Sequence, residues 1–519
     1  MLSRASALVL GRSRRCFQLV PAVAMATSSA PKADLARSKS GLHHEKDGKV
    51  LHKDLMNAGL LRAQYAVRGE LYRRATELAS DGKDIIYTNI GNPQQLGQLP
   101  IKFNRSVLSL LLSPDLMEHE SAHLLFKEDA IARARELLGY FGGAPGAYTD
   151  SRGAVGIRKE VARFIAERDG TPEPRLEELF LTDGASVGVK YALTALLRDE
   201  HDAILTPIPQ YPLYSAIIQA QGGQLLPYYL REAEGWTPDY AAIRASLAAA
   251  RAAGTSVRAI AFINPGNPTG TIMGEEDVAD LLRFAYEERL VVLADEVYQP
   301  NVYHPDKPFV SAHAALSRLP EPVRSGVELL SFHTVSKGVL GECGLRGGYM
   351  HLTNIHEGTV DELYKTASIN LCPNTVGQAC VSLLVKQPKE GDASYEETRD
   401  QLRGLLRSLA KRAHQVAEAF QSLPNMRCTP TEGAMYSFPQ IVMPQKAIDE
   451  AKRIGKEPDV LYCLELLEAT GIVTVPGSGF GQEPGTYHFR TTILPQEEDI
   501  DNFCQAFKKF HLAFLDKYQ

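Results

Sequence analysis

The sequence contains no uninterrupted apolar run that approaches the roughly 20 residues a membrane-spanning helix needs. Its seven cysteines are scattered and odd in number, and none forms a Cys-x-x-Cys pair, so they indicate no metal site. Basic residues are not in excess either, because the net charge is −6 over 519 residues, whereas nucleic-acid binding normally requires a basic surface. We therefore expect neither a membrane, a metal ion nor a nucleic acid as a partner.

Acidic residues are nearly absent from the first 40 residues. Seven of these residues are arginine or lysine and Asp34 is the only acid, while serine and alanine fill much of the remainder. A leader of this composition resembles an organellar transit peptide. We predict a leader over residues 1–45 and import into the mitochondrial matrix. A plastid leader and a merely disordered tail are the alternatives, and Met25 could serve as an internal start that yields a cytosolic form.

From about residue 51 onward the composition is globular, and strand-like runs alternate with helical stretches. The segments that read as buried strands ending in loops are LEELFLTDGAS, HDAILTPIPQYP, VRAIAFINPGNPTG, RLVVLADEVYQ and VELLSFHTVSK. Helical patterns lie between several of them, for example from Glu275 to Glu288. This alternation predicts an α/β fold, in which a large domain over residues 120–390 has a mostly parallel central sheet flanked by helices.

After Tyr395 the pattern changes to one long helix followed by short strands. Apolar residues recur at helical spacing from Leu402 to Leu423, and the strings GAMYSFPQI and TYHFRTTIL follow as strands. We predict a smaller α+β domain over residues 391–519. Residues 46–119 are expected to form an N-terminal arm and part of this smaller domain.

Several residues with polar side chains or free backbone groups come directly after the predicted strands. These residues are Asp183–Ser186, Tyr211, Asn267, Asp295, Tyr298 and Lys337. Ligands of mostly parallel sheets bind beyond the carboxyl ends of the strands. We therefore expect these residues to converge on one site.

Lys337 lies in the string SFHTVSKGVLGECGLRGGY, in which small residues surround one lysine and one arginine after a strand. Such a lysine could be an ordinary surface cation, but its amine can also form a Schiff base with an aldehyde. Pyridoxal phosphate is the aldehyde cofactor of amino-acid chemistry. It needs a carboxylate for its ring nitrogen, donors for its phenolic oxygen, an aromatic wall and a phosphate cradle.

The ring of such a cofactor has candidate partners in this chain. Asp295 ends an apolar strand, where a charge is costly unless it is paired, and a protonated pyridine nitrogen would pair it. Asn267 and Tyr298 could donate to the phenolic oxygen, and Tyr211 could stack on the ring. Taken singly, these residues could equally be turn residues or core tyrosines.

The phosphate also has candidate partners. The string TDGASVGVKYAL passes from a strand into a helix, so the free N–H groups of Ala185 and Ser186 would face an anion. Arg346 can clamp a phosphate with two hydrogen bonds. The hydroxyls of Thr334 and Ser336 could add donors.

Arg490 alternates with Phe489 and Thr491 along a short predicted strand of the smaller domain. It could be an exposed strand cation. If it faces a cleft between the two domains, it could instead bind a substrate carboxylate through two parallel hydrogen bonds.

These motifs, in this order, resemble the class I/II aminotransferases, which are pyridoxal-phosphate enzymes of fold type I, and among them the alanine aminotransferases. The motifs are NIGNPQQLGQ, GAYTDSRG, PIPQYPLYS, INPGNPTG, LADEVYQ, SKGVLGECGLRGGY, GAMYSFP and VPGSGFGQ…GTYHFRTTILP. The resemblance covers the chain from about residue 45 to its end. It implies pyridoxal 5'-phosphate as cofactor and conversion of L-alanine and 2-oxoglutarate to pyruvate and L-glutamate. Alternatives are glutamate–glyoxylate or other small-amino-acid transamination, or a pyridoxal-phosphate lyase reaction.

The resemblance also implies a role for each candidate residue. The implied catalytic residues are Lys337, Asp295 and Tyr298. The implied cofactor-binding residues are Lys337, Ala185, Ser186, Tyr211, Asn267, Asp295, Tyr298, Thr334, Ser336, Arg346 and Tyr148. The implied substrate-binding residues are Arg490, Gly91 and Asn267. Members of the family are homodimers, so Tyr148 is expected to reach the site of the neighbouring subunit.

Overall fold

The computed structural model describes residue 49 and residues 51–63 and 69–519. The predicted leader, residues 1–45, lies outside the described residues. The chain divides into two units at Asn57. In its described part the first unit contains a 3-10 helix at Lys53–Leu55. All elements named below belong to the second unit, Ala58–Gln519.

The strands of this unit range from two to eight residues in length. They are β1 (Ile86–Tyr87), β2 (Leu179–Thr182), β3 (Asp202–Ile208), β4 (Gln224–Arg231), β5 (Thr237–Pro238), β6 (Ser256–Ile263), β7 (Val291–Asp295), β8 (Leu329–Thr334), β9 (Gly348–Thr353), β10 (Met426–Arg427), β11 (Tyr436–Ser437), β12 (Gln440–Ile441), β13 (Ile472–Val473), β14 (Val475–Pro476) and β15 (Phe489–Thr492).

Helices connect most of the long strands. They are α1 (Ala58–Arg62), α2 (Glu70–Ser80), α3 (Lys102–Leu112), α4 (Ala122–Leu125), α5 (Glu128–Tyr140), α6 (Val155–Asp169), α7 (Ala185–Leu196), α8 (Leu213–Ala220), α9 (Tyr240–Ala252), α10 (Glu275–Glu288), α11 (Ala312–Arg318), α12 (Val323–Gly326), α13 (Glu357–Ser368), α14 (Thr375–Val385), α15 (Tyr395–Gln421), α16 (Gln445–Arg453), α17 (Pro458–Thr470) and α18 (Ile500–Tyr518). No described helix combines the length and apolar character that crossing a membrane requires.

Eight strands form the main sheet in the order β2-β9-β8-β7-β6-β3-β4-β5. Neighbours from β8 to β4 are parallel, β9 is antiparallel to both its neighbours, and β5 is antiparallel to β4. Leu293 of β7 packs into one core cluster, whereas Val292 and Ala294 pack into another, so both faces of the sheet are covered. The predicted α/β fold with a mostly parallel central sheet is confirmed. Strands β4, β5 and β9 were not predicted from the sequence.

Local sequence accounts for the helix predicted between Glu275 and Glu288, and α10 has these bounds. Its first turn carries three acidic residues, which interact favourably with the positive end of the helix dipole. The side chain of Asp277 also accepts a hydrogen bond from the N–H of Gly274 at 2.8 Å. Apolar side chains at helical spacing then bury one face of α10 against β6 and β7.

The C-terminal part contains the predicted long helix, α15, and three short strands in the order β11-β15-β14. Aromatic rings from α15, α17, β15 and α18 pack against one another in this part of the chain. They include Phe420, Tyr462, Phe489 and Phe507. Strand β1 pairs with β13, and α2 packs on α17, whereas α3 packs on α5 and α14. The domain limits at residues 46, 120 and 391 stay a prediction.

Candidate active site

A cavity of about 480 Å³ lies at the carboxyl ends of the parallel strands of the main sheet. Its walls come from five strand ends, from the loop around Gly91 and from the short strands β11 and β15. The lining residues are Ile90, Gly91, Asn92, Ala185, Ser186, Tyr211, Leu213, Ile263, Asn267, Asp295, Val297, Tyr298, Thr334, Ser336, Lys337, Cys343, Arg346, Tyr436 and Arg490. Of the residues predicted to bind cofactor or substrate, only Tyr148 lies outside this cavity, with 78% of its surface exposed.

Lys337 enters the cavity three residues after β8. Its amine donates a hydrogen bond of 2.6 Å to the carbonyl of Gly91. No carboxylate of the described residues lies within ion-pair distance of it. Gly338 follows with φ of +66°, and a β-carbon there would lie 2.7 Å from the ring of Pro300. The turn therefore requires glycine, and it presents the amine to the cavity without a charged partner.

Asp295 ends β7 on the cavity wall, almost completely buried. One carboxylate oxygen accepts a hydrogen bond of 3.2 Å from the hydroxyl of Tyr214, and the other has no partner among the described residues. Burial raises the pKa of Asp295 to about 6, although Tyr214, the N–H of Val297 and the charge of Lys337 act in the opposite direction. A buried carboxylate with one unpartnered oxygen is suited to a cationic N–H donor.

Asn267 and Tyr298 lie on the same wall. The side-chain oxygen of Asn267 accepts a hydrogen bond of 3.0 Å from Arg490, so its amide N–H₂ group is the part that can donate to a ligand. The hydroxyl of Tyr298 donates to that of Tyr436 at 3.0 Å, and both rings are buried. Tyr211 lines the cavity as predicted from its position after β3.

The opposite end of the cavity presents backbone N–H groups and Arg346. Helix α7 begins at Ala185 without a side-chain cap, so its first N–H groups are available to an anion. The guanidinium of Arg346 donates to the hydroxyl of Ser186 at 3.3 Å and to the carbonyl of Asp183 at 3.1 Å. A β-carbon at Gly184, where φ is +80°, would lie 2.5 Å from this guanidinium. Glycine therefore lets the helix end and the arginine approach each other.

Thr334 and Ser336 belong to the same end. The hydroxyl of Thr334 donates to the carbonyl of Gly347 at 2.7 Å and accepts the N–H of Ser336 at 3.2 Å. The hydroxyl of Ser336 accepts a long hydrogen bond of 3.5 Å from Arg346. Thr334 thus supports the loop, and Ser336 is the hydroxyl that turns toward Arg346.

Arg490 is buried, with 1% of its surface exposed. Its guanidinium donates to the side chain of Asn267 and to the carbonyl of Asn89, and its Nε has no hydrogen-bond partner among the described residues. The rings of Tyr436 and Phe480 lie 4.2 and 4.6 Å from it. No carboxylate of the described residues is within ion-pair distance. A fully buried cation without an anionic partner is unfavourable, which indicates that a ligand supplies the anion.

Several residues of the site were not predicted from the sequence, and three of them hydrogen-bond to predicted site residues. Tyr214 donates a hydrogen bond to Asp295, and the carbonyl of Asn89 accepts one from Arg490. The hydroxyl of Tyr436 accepts one from Tyr298. The spacing of Tyr214 three residues after Tyr211 could have indicated it. For Tyr436 the available signal was the motif GAMYSFP, which pairs through β11 with the strand that carries Arg490.

Residues 122–507 match the protein family described as aminotransferase class I and II. The chain belongs to this family. Glutamate–glyoxylate aminotransferase 2 of Arabidopsis thaliana is 52% identical to this aminotransferase over 471 residues, covering 91% of the chain and 98% of the relative. The mitochondrial alanine aminotransferase 2 of the same plant is 48% identical over 477 residues, covering 90% and 88%. Alanine aminotransferase from Pyrococcus furiosus shares the fold with a TM-score of 0.70 at 26% identity, covering 88% of this chain and 99% of that chain.

The cavity of this aminotransferase fits pyridoxal phosphate, the cofactor that its family implies. The unpartnered oxygen of Asp295 suits a protonated ring nitrogen, and the uncapped end of α7 beside Arg346 suits a phosphate. The amine of Lys337, which has no charged partner among the described residues, lines the same cavity. Each chemical group of the cofactor therefore has a complementary group in the cavity.

Proposed function

We propose that this aminotransferase transfers the amino group of L-alanine to 2-oxoglutarate and produces pyruvate and L-glutamate. The observation that carries the proposal is Arg490, a buried cation that shares a cavity with Lys337 and has no carboxylate partner among the described residues. Both amino acids and both oxo acids of the reaction carry an α-carboxylate, which would compensate this charge. The relatives named alanine aminotransferase support alanine as the donor.

Pyridoxal 5'-phosphate would supply an aldehyde that bonds covalently to amines and a ring that withdraws electrons from the substrate α-carbon. Lys337 would hold its aldehyde carbon and Asp295 its ring nitrogen. Asn267 and Tyr298 would hold its phenolic oxygen, and Tyr211 would cover one face of the ring. The phosphate would contact the N–H groups of Ala185 and Ser186, Arg346 and the hydroxyl of Ser336, with Thr334 supporting the loop.

The chain's own groups would then divide the work on the substrate. Arg490 would bind the α-carboxylate with two N–H groups and so fix the orientation of the α-carbon. The amine of Lys337, held near the carbonyl of Gly91 at 2.6 Å, would take the proton from that carbon and later return it. The buried rings of Tyr298 and Tyr436 would exclude water from this transfer.

Glutamate and glyoxylate are the second candidate substrate pair. The observation that favours them is the 52% identity to a relative named glutamate–glyoxylate aminotransferase, which exceeds the 48% to the alanine aminotransferase. Both reactions use the same α-carboxylate clamp, so the site geometry does not separate them. Rates with alanine as donor against 2-oxoglutarate and glyoxylate, and with glutamate as donor against pyruvate and glyoxylate, would rank the two pairs.

A homodimer is proposed from an exposed apolar patch near Tyr148. Tyr148, Ile369 and Leu371 have 78%, 79% and 54% of their surfaces exposed, and Ser151 joins the two segments through a hydrogen bond of 2.7 Å to the carbonyl of Leu371. Apolar residues exposed together indicate an interaction surface. Tyr148 would reach the phosphate of the partner's site. Sedimentation should give the mass of two chains, and Tyr148→Phe should weaken cofactor retention.

The mitochondrial matrix is the proposed location. The leader composition and the mitochondrial relative support it. A fluorescent protein fused after residue 45 should enter mitochondria, whereas a fusion that begins at Met25 should stay in the cytosol. Accumulation of the longer fusion in plastids or in the cytosol would refute this location.

The central experiment measures pyruvate and glutamate formation and locates the cofactor. Purified protein should convert alanine and 2-oxoglutarate with parallel double-reciprocal lines, as expected when both half-reactions share one site. Borohydride reduction and peptide mass mapping should find the cofactor on Lys337, and Lys337→Ala should abolish both results. A protein that binds no pyridoxal phosphate, carries it on another lysine, or releases products of a lyase reaction would refute the proposal.

A further inference from the structure

The phenol of Tyr436 contacts the polar groups on which the proposed function depends. Its hydroxyl oxygen accepts a hydrogen bond of 3.0 Å from Tyr298. Its ring is buried, and the guanidinium of Arg490 lies 4.2 Å from the centre of that ring. Tyr436 thus packs against the group that would bind the substrate carboxylate.

The conformation around Gly91 shows that the oxygen of Tyr436 is also close to Lys337. A β-carbon at Gly91 would lie 2.3 Å from Oη of Tyr436 and 3.2 Å from Nζ of Lys337. Both atoms therefore border one small space, which exists because residue 91 has no side chain. Tyr436 therefore contacts the proposed carboxylate clamp through its ring, and its oxygen borders the same space as the reactive amine.

The charges around Tyr436 favour its ionised form. The titratable and charged groups that act on it are Lys337, Arg490, Tyr298 and Cys343. Burial and the thiol of Cys343 oppose ionisation, but the two cations and the hydrogen bond from Tyr298 outweigh them and lower the pKa of Tyr436. Burial instead raises the pKa of Tyr298 well above its ordinary value of 10.0. Tyr298 is therefore the phenol that keeps its proton and donates the hydrogen bond, and Tyr436 is the phenol suited to accept a proton.

An amino acid arrives at this site with its α-amino group protonated, and nitrogen must lose a proton before it can attack a carbon atom. Once Arg490 holds the carboxylate, the ammonium group is one carbon atom away from it. Resting on the proposed function, we propose that Tyr436 is a further catalytic residue, whose phenolate oxygen accepts the proton of the substrate's α-ammonium group.

The transfer is balanced within the site. One N–H bond of the ammonium group breaks and its electron pair stays on nitrogen, while one O–H bond forms on Tyr436. A cation and an anion become two neutral groups, so the net charge of the cavity does not change. The proton returns to nitrogen when the product amino acid leaves in the opposite half-reaction.

Tyr436→Phe tests this role because it keeps the ring that Arg490 stacks on and removes the oxygen. We expect kcat/KM for L-alanine at neutral pH to fall on the order of 100-fold, as for loss of a general base. It should then rise about tenfold per pH unit, because only the neutral amine from solution would react. The matched control is Tyr303→Phe, which removes a half-buried hydroxyl that donates to the carbonyl of Ala434 and does not line the cavity. It should keep the wild-type pH profile.

Ultraviolet difference titration of the apoenzyme provides a readout independent of activity. The wild type and Tyr303→Phe should show one phenol that ionises before the others, and Tyr436→Phe should lack it, with cofactor affinity unchanged. Tyr436→Phe activity that falls by one factor at every pH, or an unchanged titration, would overturn the inference alone. A wild type inactive with alanine and 2-oxoglutarate would instead refute the proposed function.

Discussion

The two ends of the cavity each hold one arginine, and the fold surrounds the two in different ways. Arg346 is exposed, and its guanidinium is held by backbone carbonyls and serine hydroxyls of the neighbouring loops. Arg490 is 1% exposed, stacks between Tyr436 and Phe480, and has no anionic partner among the described residues. Water can stabilise the charge of Arg346 but not that of Arg490.

This difference matches what each end would have to do. A phosphate that stays bound through many turnovers needs position and charge, which backbone N–H groups and a solvated arginine supply. A carboxylate that must be accepted and released in every half-reaction needs recognition, and a desolvated cation provides it because leaving the cation unpaired is costly. We therefore expect changes at the buried end to be the more severe.

The largest effect is expected for Arg490→Lys. Lysine keeps the charge but loses the planar pair of N–H donors and the stacking on Tyr436. We expect kcat/KM for alanine to fall about 10²- to 10³-fold, the range for a disrupted buried charge pair, mainly through KM. Steady-state kinetics and a cofactor titration would measure it.

Arg412→Lys is the control for a buried arginine that serves structure alone. Its guanidinium donates to the carbonyls of Leu494 and Pro495 at 2.9 Å, outside the cavity. It should lower thermal stability and leave KM unchanged. If Arg490→Lys loses cofactor affinity and alanine affinity equally, the assignment of one end of the cavity to the phosphate and the other to the substrate carboxylate would be contradicted.

Asp295 extends the contrast to a buried anion. Its carboxyl keeps a proton to about pH 6 in the folded apoenzyme but to about 3.8 when unfolded. The folded state therefore binds more protons between these values, and stability falls as pH rises through them, by about 3 kcal/mol. Asp295→Asn should remove this loss, so the apo variant should be the more stable protein above pH 6. Chemical denaturation from pH 4 to 8 would measure the difference.

Glu296 provides the internal control for that experiment. It is equally buried, and burial raises its pKa to about 7, but it does not line the cavity. Added cofactor should abolish the part of the pH dependence of the unfolding free energy that comes from Asp295. It should leave the part that comes from Glu296, which Glu296→Gln would remove. Cofactor that changes neither part would count against a contact between the ring and Asp295.

A smaller effect is expected for Arg346→Lys at the exposed end. The variant keeps a solvated charge but loses the hydrogen bonds to Asp183 and Ser186. We expect affinity for pyridoxal phosphate to fall about 10- to 30-fold, or about 2 kcal/mol, and KM for alanine to stay within about twofold. Equilibrium titration of the apoenzyme would measure it. A change confined to KM for alanine would contradict the assignment of this end to phosphate.

Residues that directly follow strands could be predicted from the sequence far better than the contacts they make with distant segments. Lys337, Ala185 and Ser186 each follow a strand within a few residues, so local patterns and the rule for parallel sheets place them together. The bounds of α10 were predicted to the residue for the same local reason. Neighbours in sequence determine these features.

Contacts between distant segments were not predictable in this way. Arg490 meets Asn89, and Tyr436 meets Tyr298, across separations of 401 and 138 residues. The two-residue strand β14 forms only because it pairs with β15, and two residues carry too little pattern to indicate this. Tyr148 shows the other limit, because its proposed partner belongs to a second chain.

The smallest effect is expected where a charge pair is already complete within the chain. Glu342, 5% exposed, lies in the loop between Lys337 and Arg346 and receives two hydrogen bonds from Arg105, of 2.9 and 2.7 Å. Gln94, three residues after Gly91, donates a third. Glu342 therefore joins the loop of Lys337 to α3 through Arg105 and to the loop of Gly91 through Gln94.

Arg105→Lys should keep this charge and lose the paired geometry, at a cost of about 1 kcal/mol. Because both loops border the cavity, cofactor affinity and KM for alanine should each worsen by about the same small factor, near twofold. Arg198→Lys is the matched control, since Arg198 makes the same two-bond contact with buried Asp202 away from the cavity. It should lose as much stability without changing either ligand. If only cofactor affinity or only KM for alanine worsens in Arg105→Lys, Glu342 supports a single loop. Equal losses of both would show that Glu342 positions the loops at both ends of the cavity.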